Sequence, residues 1–369
     1  MHLVIDASRA TVERVTGTEH YARQLIHQLI LHNETLSAPH DITLYFRDVP
    51  DVHLFPSSPH VTQKVIPFPR MWTHVRFAGA IWQSRPDVTF VPAHTLPLAF
   101  PGKAVVTVHD LGYKHFPDAH TESQVRYLDW STRHSAKRAT LILADSEATS
   151  EDLQGFYDVP AEKISVVYPG VAPPHDTRDW SLFSKYDLPM SYFVFIGTLQ
   201  PRKNIERIVQ AFDRWQHANP DKDYGLVLAG KKGWKFDEAW VENVENVHCI
   251  GYIDDEYKGA LLRESVALVF PSLFEGFGFP AVEAMHMGTP VIASNTSSLP
   301  ELVGDAGILC DPLSVPQIAA SLDVIAEYPR LRDTLMQKGM RRAPLFNWET
   351  AAEQTMVVLE RAGKVNLSP

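Results

Sequence analysis

Short apolar runs recur along this chain, each separated from the next by a segment of helical length, and that alternation restricts it to parallel sheets covered on both faces. Leu3-Val4-Ile5 opens the pattern, and the following Tyr21, Leu25, Ile26, Leu29 and Ile30 have the spacing of an amphipathic helix. Further runs at 87–91, 104–108, 140–144 and 164–168 extend a first series. Pro169, Gly170, Pro173 and Pro174 then punctuate the chain as a linker or hinge. A second series runs through 192–196, 225–229, 247–250, 266–270, 290–293 and 307–309. The predicted fold is α/β, with two doubly wound Rossmann-like domains facing each other across a cleft. Their expected bounds are 1–171 and 172–347, with a last helix over 348–363 crossing back onto the first domain.

With 369 residues, two ordinary domains are affordable. The balance of 34 basic against 44 acidic residues leaves a net charge of −10, which disfavours nucleic acid or another polyanion as partner. Two cysteines, Cys249 and Cys310, make no disulfide framework and have no zinc spacing. No leader-like start and no apolar run of about 20 residues is evident, so the expected location is cytoplasmic, with membrane contact at most peripheral at the inner face. The stretch from Arg70 to Arg85, with Trp72, Phe77 and Trp82, fits either such a contact or a cover for the sheet.

Open parallel sheets bind ligands at the carboxyl ends of their strands, so loops there are the candidates. Phe274 to Glu283 follows the buried run 266–270. Pro280 suits a first helical position, while Gly276 and Gly278 let backbone approach a ligand. The amides over 278–282 then form an anion site. Glu275 and Glu283 would repel a bare phosphate but accept hydroxyl groups, and an anion joined to polyols is a nucleoside-diphosphate sugar. Glu283 reads equally as an acid complementing the helix dipole.

After the run 192–196, Gly197 to Asn204 carries Arg202 and Lys203, cations suited to a diphosphate leaving group. In the first half, His109-Asp110 follows 104–108 as a candidate facing the cleft. Weaker signals are Gly17, within Thr16 to His20, and Gly230-Lys231, which reads equally as a plain turn. Asp254-Asp255 reads as a helix cap rather than a metal site.

The segment from Glu275 to Glu283 resembles the E-x7-E pattern of retaining GT-B glycosyltransferases of family 4. Val108-His109-Asp110-Leu111, Ala144-Asp145-Ser146, Val167 to Val171, Gly197 to Asn204 and Gly288 to Ser294 extend the resemblance over most of the chain. It implies that Glu283 holds ribose hydroxyls, that Glu275 contacts the donor sugar, and that amides of Phe277, Gly278 and Phe279 serve the sugar and phosphates. It also implies Arg202 and Lys203 on the diphosphate and His109 beside the reacting centre. Thr198 stands where many members carry Arg, and Gly17 where many carry a Gly pair. The Pro201-Arg202-Lys203-Asn204 form is similar to mannosyltransferase-type members and implies GDP-mannose as donor, with no cofactor and no metal. The acceptor, a saccharide or a lipid-linked one, would meet loops such as Thr16 to His20 and Ala93 to Leu96. Competing readings are an inactive nucleotide-sugar-binding protein and a dinucleotide-dependent oxidoreductase, whose G-x-G-x-x-G fingerprint is missing after the first run. The residues leave the oligomeric state open.

Overall fold

The computed structural model describes residues 1–12, 17–177, 180–233 and 235–365. Thr16, the first residue of the expected acceptor loop, lies outside them. The chain divides into two compact units, one of Met1–Gly170 with Asn347–Pro369 and one of Val171–Phe346.

The first unit is built on seven parallel strands in the order β3-β2-β1-β4-β5-β6-β7. These are β1 (His2–Asp6), β2 (Asp41–Phe46), β3 (Val61–Val65), β4 (Val88–Val91), β5 (Lys103–Val108), β6 (Leu141–Ala144) and β7 (Ile164–Val166). Strands β2 and β3 are not among the apolar runs read from the sequence. β3 is an exposed edge strand, Val-Thr-Gln-Lys-Val, with little burial to mark it. The helix Trp348–Lys364 completes this unit, packed against the helix Gly17–Thr35 and starting with Asn347, whose side chain accepts the Thr350 amide at 2.8 Å. Within 70–85, Trp72 and Phe77 are buried and stacked 5.1 Å apart, whereas Trp82 is exposed.

The second unit has six parallel strands in the order β10-β9-β8-β11-β12-β13. They are β8 (Tyr192–Ile196), β9 (Gly225–Ala229), β10 (Val247–Gly251), β11 (Ala267–Phe270), β12 (Val291–Ser294) and β13 (Gly307–Cys310). β8, β9, β11 and β12 are buried along their whole length, as near-continuous apolar runs demand. In each sheet the strand order reverses next to the first strand, between β1 and β4 and between β8 and β11. Loops diverge at such a point and leave room for a ligand at the carboxyl ends. No helix among the described residues is long and apolar enough to cross a membrane.

Candidate active site

In the second unit, the loops after β8 and β11 meet at the reversal point. Lys203 Nζ donates to Glu275 Oε1 at 2.5 Å, and Arg202 Nη1 donates to the Phe274 carbonyl at 2.6 Å while lying 3.5 Å from Glu275 Oε2. Glu275 is buried, which opposes ionisation, but the Lys203 and Arg202 charges outweigh burial and hold its carboxyl below the ordinary range. The two cations read from the sequence as partners of a diphosphate thus rest on the acid read as a sugar contact.

Residues that sequence reasoning missed fix this cluster. Asn204, left-handed at φ 65° and buried, donates from Nδ2 to the carbonyls of Pro271 at 2.9 Å and Pro312 at 2.7 Å. Ser297 Oγ accepts the Glu275 amide at 3.1 Å, and Ser298 Oγ donates to the carbonyls of Glu275, at 3.0 Å, and Phe277. The only sequence signal was their place just after the run 290–293.

Gly278 has φ 122°, where a side chain is strained, and a Cβ there would lie 2.7 Å from Leu299 Cδ2. It caps the helix Phe279–His286 with no side-chain bond to that helix's first amides. Pro280 is consequently the second helical residue rather than the first; it forfeits no intrahelical bond in either place. Phe277 is buried between Phe279 and Phe346, with ring centroids 5.1 and 5.8 Å away. Glu283 lies beyond the first helical turn, where the dipole argument fades. Its Oε1 accepts Lys258 Nζ at 2.5 Å, and its Oε2 is buried with no hydrogen-bond partner among the described residues.

Gly197 and Gly230 have φ 147° and 150°, and a Cβ on Gly230 would come within 1.9 Å of the Gly197 carbonyl oxygen. These glycines let two loops touch backbone to backbone. Lys231 lies over the Tyr252 ring at 5.3 Å. Asp254 occupies the cap position of the helix Asp255–Glu264 without capping it; its carboxylate instead takes Lys185 Nζ at 2.8 Å and Tyr186 OH at 3.1 Å.

In the first unit His109 pairs with Asp145, not with its neighbour Asp110, which accepts the Gly112 amide at 2.8 Å. The His109 Nδ1–Asp145 Oδ2 distance is 2.7 Å and Nε2 lies 3.3 Å from the Pro92 carbonyl, so both ring nitrogens face acceptors that suit the doubly protonated form. Burial alone would favour the neutral ring; the Asp145 charge and hydrogen bond, with Asp110 and the Pro92 carbonyl, reverse this and raise its pKa. The His109 amide donates to His94 Nε2 at 2.8 Å, and the two rings stack 5.4 Å apart. His94 is driven down to about 4 by burial and by the His109 charge. Gly17 begins its helix with open space where a Cβ would stand.

With this geometry in view, comparisons with known proteins are informative. Residues 183–342 match a family described as Glycosyl transferases group 1, and residues 15–173 match one described as Glycosyltransferase Family 4. The O-antigen chain mannosyltransferase B of Escherichia coli is 33% identical over 265 residues, covering 69% of each chain. The MMP alpha-(1->4)-mannosyltransferase of Mycolicibacterium hassiacum is 42% identical over 237 residues, covering 62% of this chain and 55% of that one. Among solved structures, sucrose-phosphate synthase from Thermosynechococcus elongatus has TM-score 0.73 at 21% identity, covering 98% of each chain, and WaaG has TM-score 0.71 at 15%, covering 97% and 99%. Two Rossmann-like domains that match these structures have the GT-B fold. The chain belongs to the group 1 and family 4 glycosyltransferases.

Proposed function

We propose that this enzyme transfers a mannosyl group from GDP-mannose to an acceptor hydroxyl, with retention of anomeric configuration and without a divalent metal. The observation that carries the reading is the cluster of half-buried Lys203 and Arg202 on the buried Glu275, beside the amino end of the helix Phe279–His286. Helix-end amides and two cations offer a diphosphate the donors that its departing charge requires. As the phosphate takes Lys203, Glu275 is freed to accept a sugar hydroxyl. The unpartnered Oε2 of Glu283 supplies a further acceptor, suited to a ribose hydroxyl. The anomeric carbon–oxygen bond to phosphate breaks, the acceptor oxygen bonds on the same face, and its proton leaves with the phosphate. His109 is assigned to the reacting centre as an imidazolium donor that exchanges the Pro92 carbonyl for substrate.

The mannosyl assignment rests on the two mannosyltransferase relatives. We place the enzyme in the cytoplasm, in keeping with its two unpaired thiols. Purified protein incubated with a panel of nucleotide sugars, with and without chelator, tests the reading. Release of GDP from GDP-mannose in both conditions is expected, with an α-linked product by NMR. Turnover of UDP-sugars alone, an inverted product or loss of activity in chelator would each remove the corresponding part.

A further inference from the structure

The first unit has its own concavity where its strand order reverses, about 250 Å³ in volume, lined by Asp6 at the end of β1, Arg9 beyond it, His94 and Thr95 after β4, Glu19, and Tyr127 from the helix Glu122–Arg138. That is below the roughly 300–1,000 Å³ of sites for drug-sized ligands, so it takes one ring and not a chain. Asp6 and Glu19 are buried, Asp6 Oδ1 accepting the Ser8 amide at 2.9 Å and Glu19 Oε1 lying 3.5 Å from Arg9 Nη1. Buried carboxylates, a guanidinium and a threonine hydroxyl are acceptors and donors for a polyol.

Tyr127 also opens a second feature. It is 51% exposed, its ring lies 6.1 Å from that of Trp130, itself 45% exposed, and Trp130 stacks on His134 at 5.9 Å. Positions 127, 130 and 134 share one helical face. His74 meets Trp130 edge-on at 6.4 Å, and His134 Nε2 lies 3.1 Å from the Pro97 carbonyl, so the ledge is held in place before any ligand arrives. Rigid rings with polar edges suit the apolar C–H face and hydroxyl rim of a sugar. A lipid surface fits less well, because the buried acids next to the ledge repel anionic headgroups.

We propose that the acceptor is a saccharide chain of two or more units, its terminal ring in the Asp6–Glu19 cavity and the next ring on the Tyr127–Trp130 ledge. The inference rests on the transferase reading above and names the acceptor class that reading leaves open. Titration calorimetry of the full-length protein with α-linked manno- and gluco-oligosaccharides of one to four units tests it. In at least one series, affinity should rise tenfold or more from one unit to two, then level off. Trp130→Ala should abolish that gain and Trp130→Phe retain it, with melting temperatures checking the fold; Trp82→Ala, at an exposed tryptophan off the ledge, should leave it unchanged. Affinity independent of chain length in both series, or a gain that survives Trp130→Ala, would overturn the proposal. So would Trp130→Ala losing adsorption to sugar-free anionic vesicles with saccharide affinity unaltered, which would make the ledge a lipid contact. Donor turnover by the wild type is measured alongside. Turnover without a chain-length gain removes the ledge alone, whereas a chain-length gain without any nucleotide-sugar turnover keeps the ledge and removes the transferase reading.

Discussion

Lys203 and Glu275, 72 positions apart in sequence, meet through a hydrogen bond of 2.5 Å, their side chains only 12% and 8% exposed. A pair so placed has two roles that pull apart. It satisfies two charges that neither could afford to bury alone, and it holds both groups ready for a ligand that exchanges one partner for another.

Truncating one member is therefore expected to affect folding as well as transfer. Lys203→Ala leaves Glu275 buried beside Arg202 alone, and breaking a buried pair this way costs about 3–5 kcal/mol. Transfer should fall more than tenfold, equivalent to about 1.4 kcal/mol or more. The double variant Lys203→Met/Glu275→Gln should regain most of the stability in urea unfolding and none of the activity. A double variant as unstable as the single one would show that the pair is not the source of the loss.

Two glycines are expected to differ in tolerance. At Gly278 an added Cβ meets a terminal methyl of the Leu299 side chain, so Gly278→Ala should cost about 1–3 kcal/mol, chiefly for its positive φ. Combining it with Leu299→Ala should relieve the contact but not the backbone strain. Gly230→Ala drives a methyl into the Gly197 carbonyl, and neither loop can yield without breaking the hydrogen bond from the Gly197 amide to the Ala229 carbonyl at 2.9 Å or that from the Gly230 amide to the Gly251 carbonyl at 2.6 Å. Soluble yield and melting temperature should both drop further for Gly230→Ala than for Gly278→Ala.

These residues also mark what the sequence discloses. Strand runs were legible because β8, β9, β11 and β12 are buried on both faces, and loops at their ends followed from the parallel arrangement. The exposed edge strand β3 left no such trace. The partner of His109 needed strand pairing: Val108 on β5 is in register with Ala144 on β6, which places the next residues, His109 and Asp145, side by side. Adjacency in the chain favoured Asp110 instead. Asn204 and Ser298 donate to carbonyls, and Ser297 accepts an amide, that only the fold brings near, so their type and spacing had little to announce them.

For Glu283, the unpartnered Oε2 predicts a specific deficit. Glu283→Gln replaces an acceptor by an amide that offers one acceptor and two donors, and a ribose hydroxyl that donates to the carboxylate loses a charge-assisted bond of about 1.5–3 kcal/mol. Calorimetric affinity for GDP should weaken by about tenfold or more. Lys258→Met removes the partner of Oε1 but keeps both carboxylate oxygens as acceptors. It should weaken GDP binding less than Glu283→Gln; the reverse order would assign the nucleotide contact to the lysine.

Acid sensitivity follows from the two stacked histidines. His94 must stay neutral to accept the His109 amide, and its folded pKa of about 4 lies below the ordinary 6.5. Between those values the unfolded chain binds the extra proton, so stability from His94 is complete above about pH 6.5 and drains away as pH falls toward 4. His109 runs the other way: its pKa is raised, so its contribution is complete below 6.5 and is lost as pH rises through the folded value. Asp145, raised by burial against the lowering pull of His109, also loses stability as pH rises, but from 3.8 upward. A difference curve isolates His94 from both. In His94→Gln the amide oxygen still accepts the His109 amide without titrating, so urea unfolding from pH 4 to 7 should show the variant losing less stability than wild type on the acid side. Parallel curves for the two proteins would mean that His94 carries its proton in the folded state.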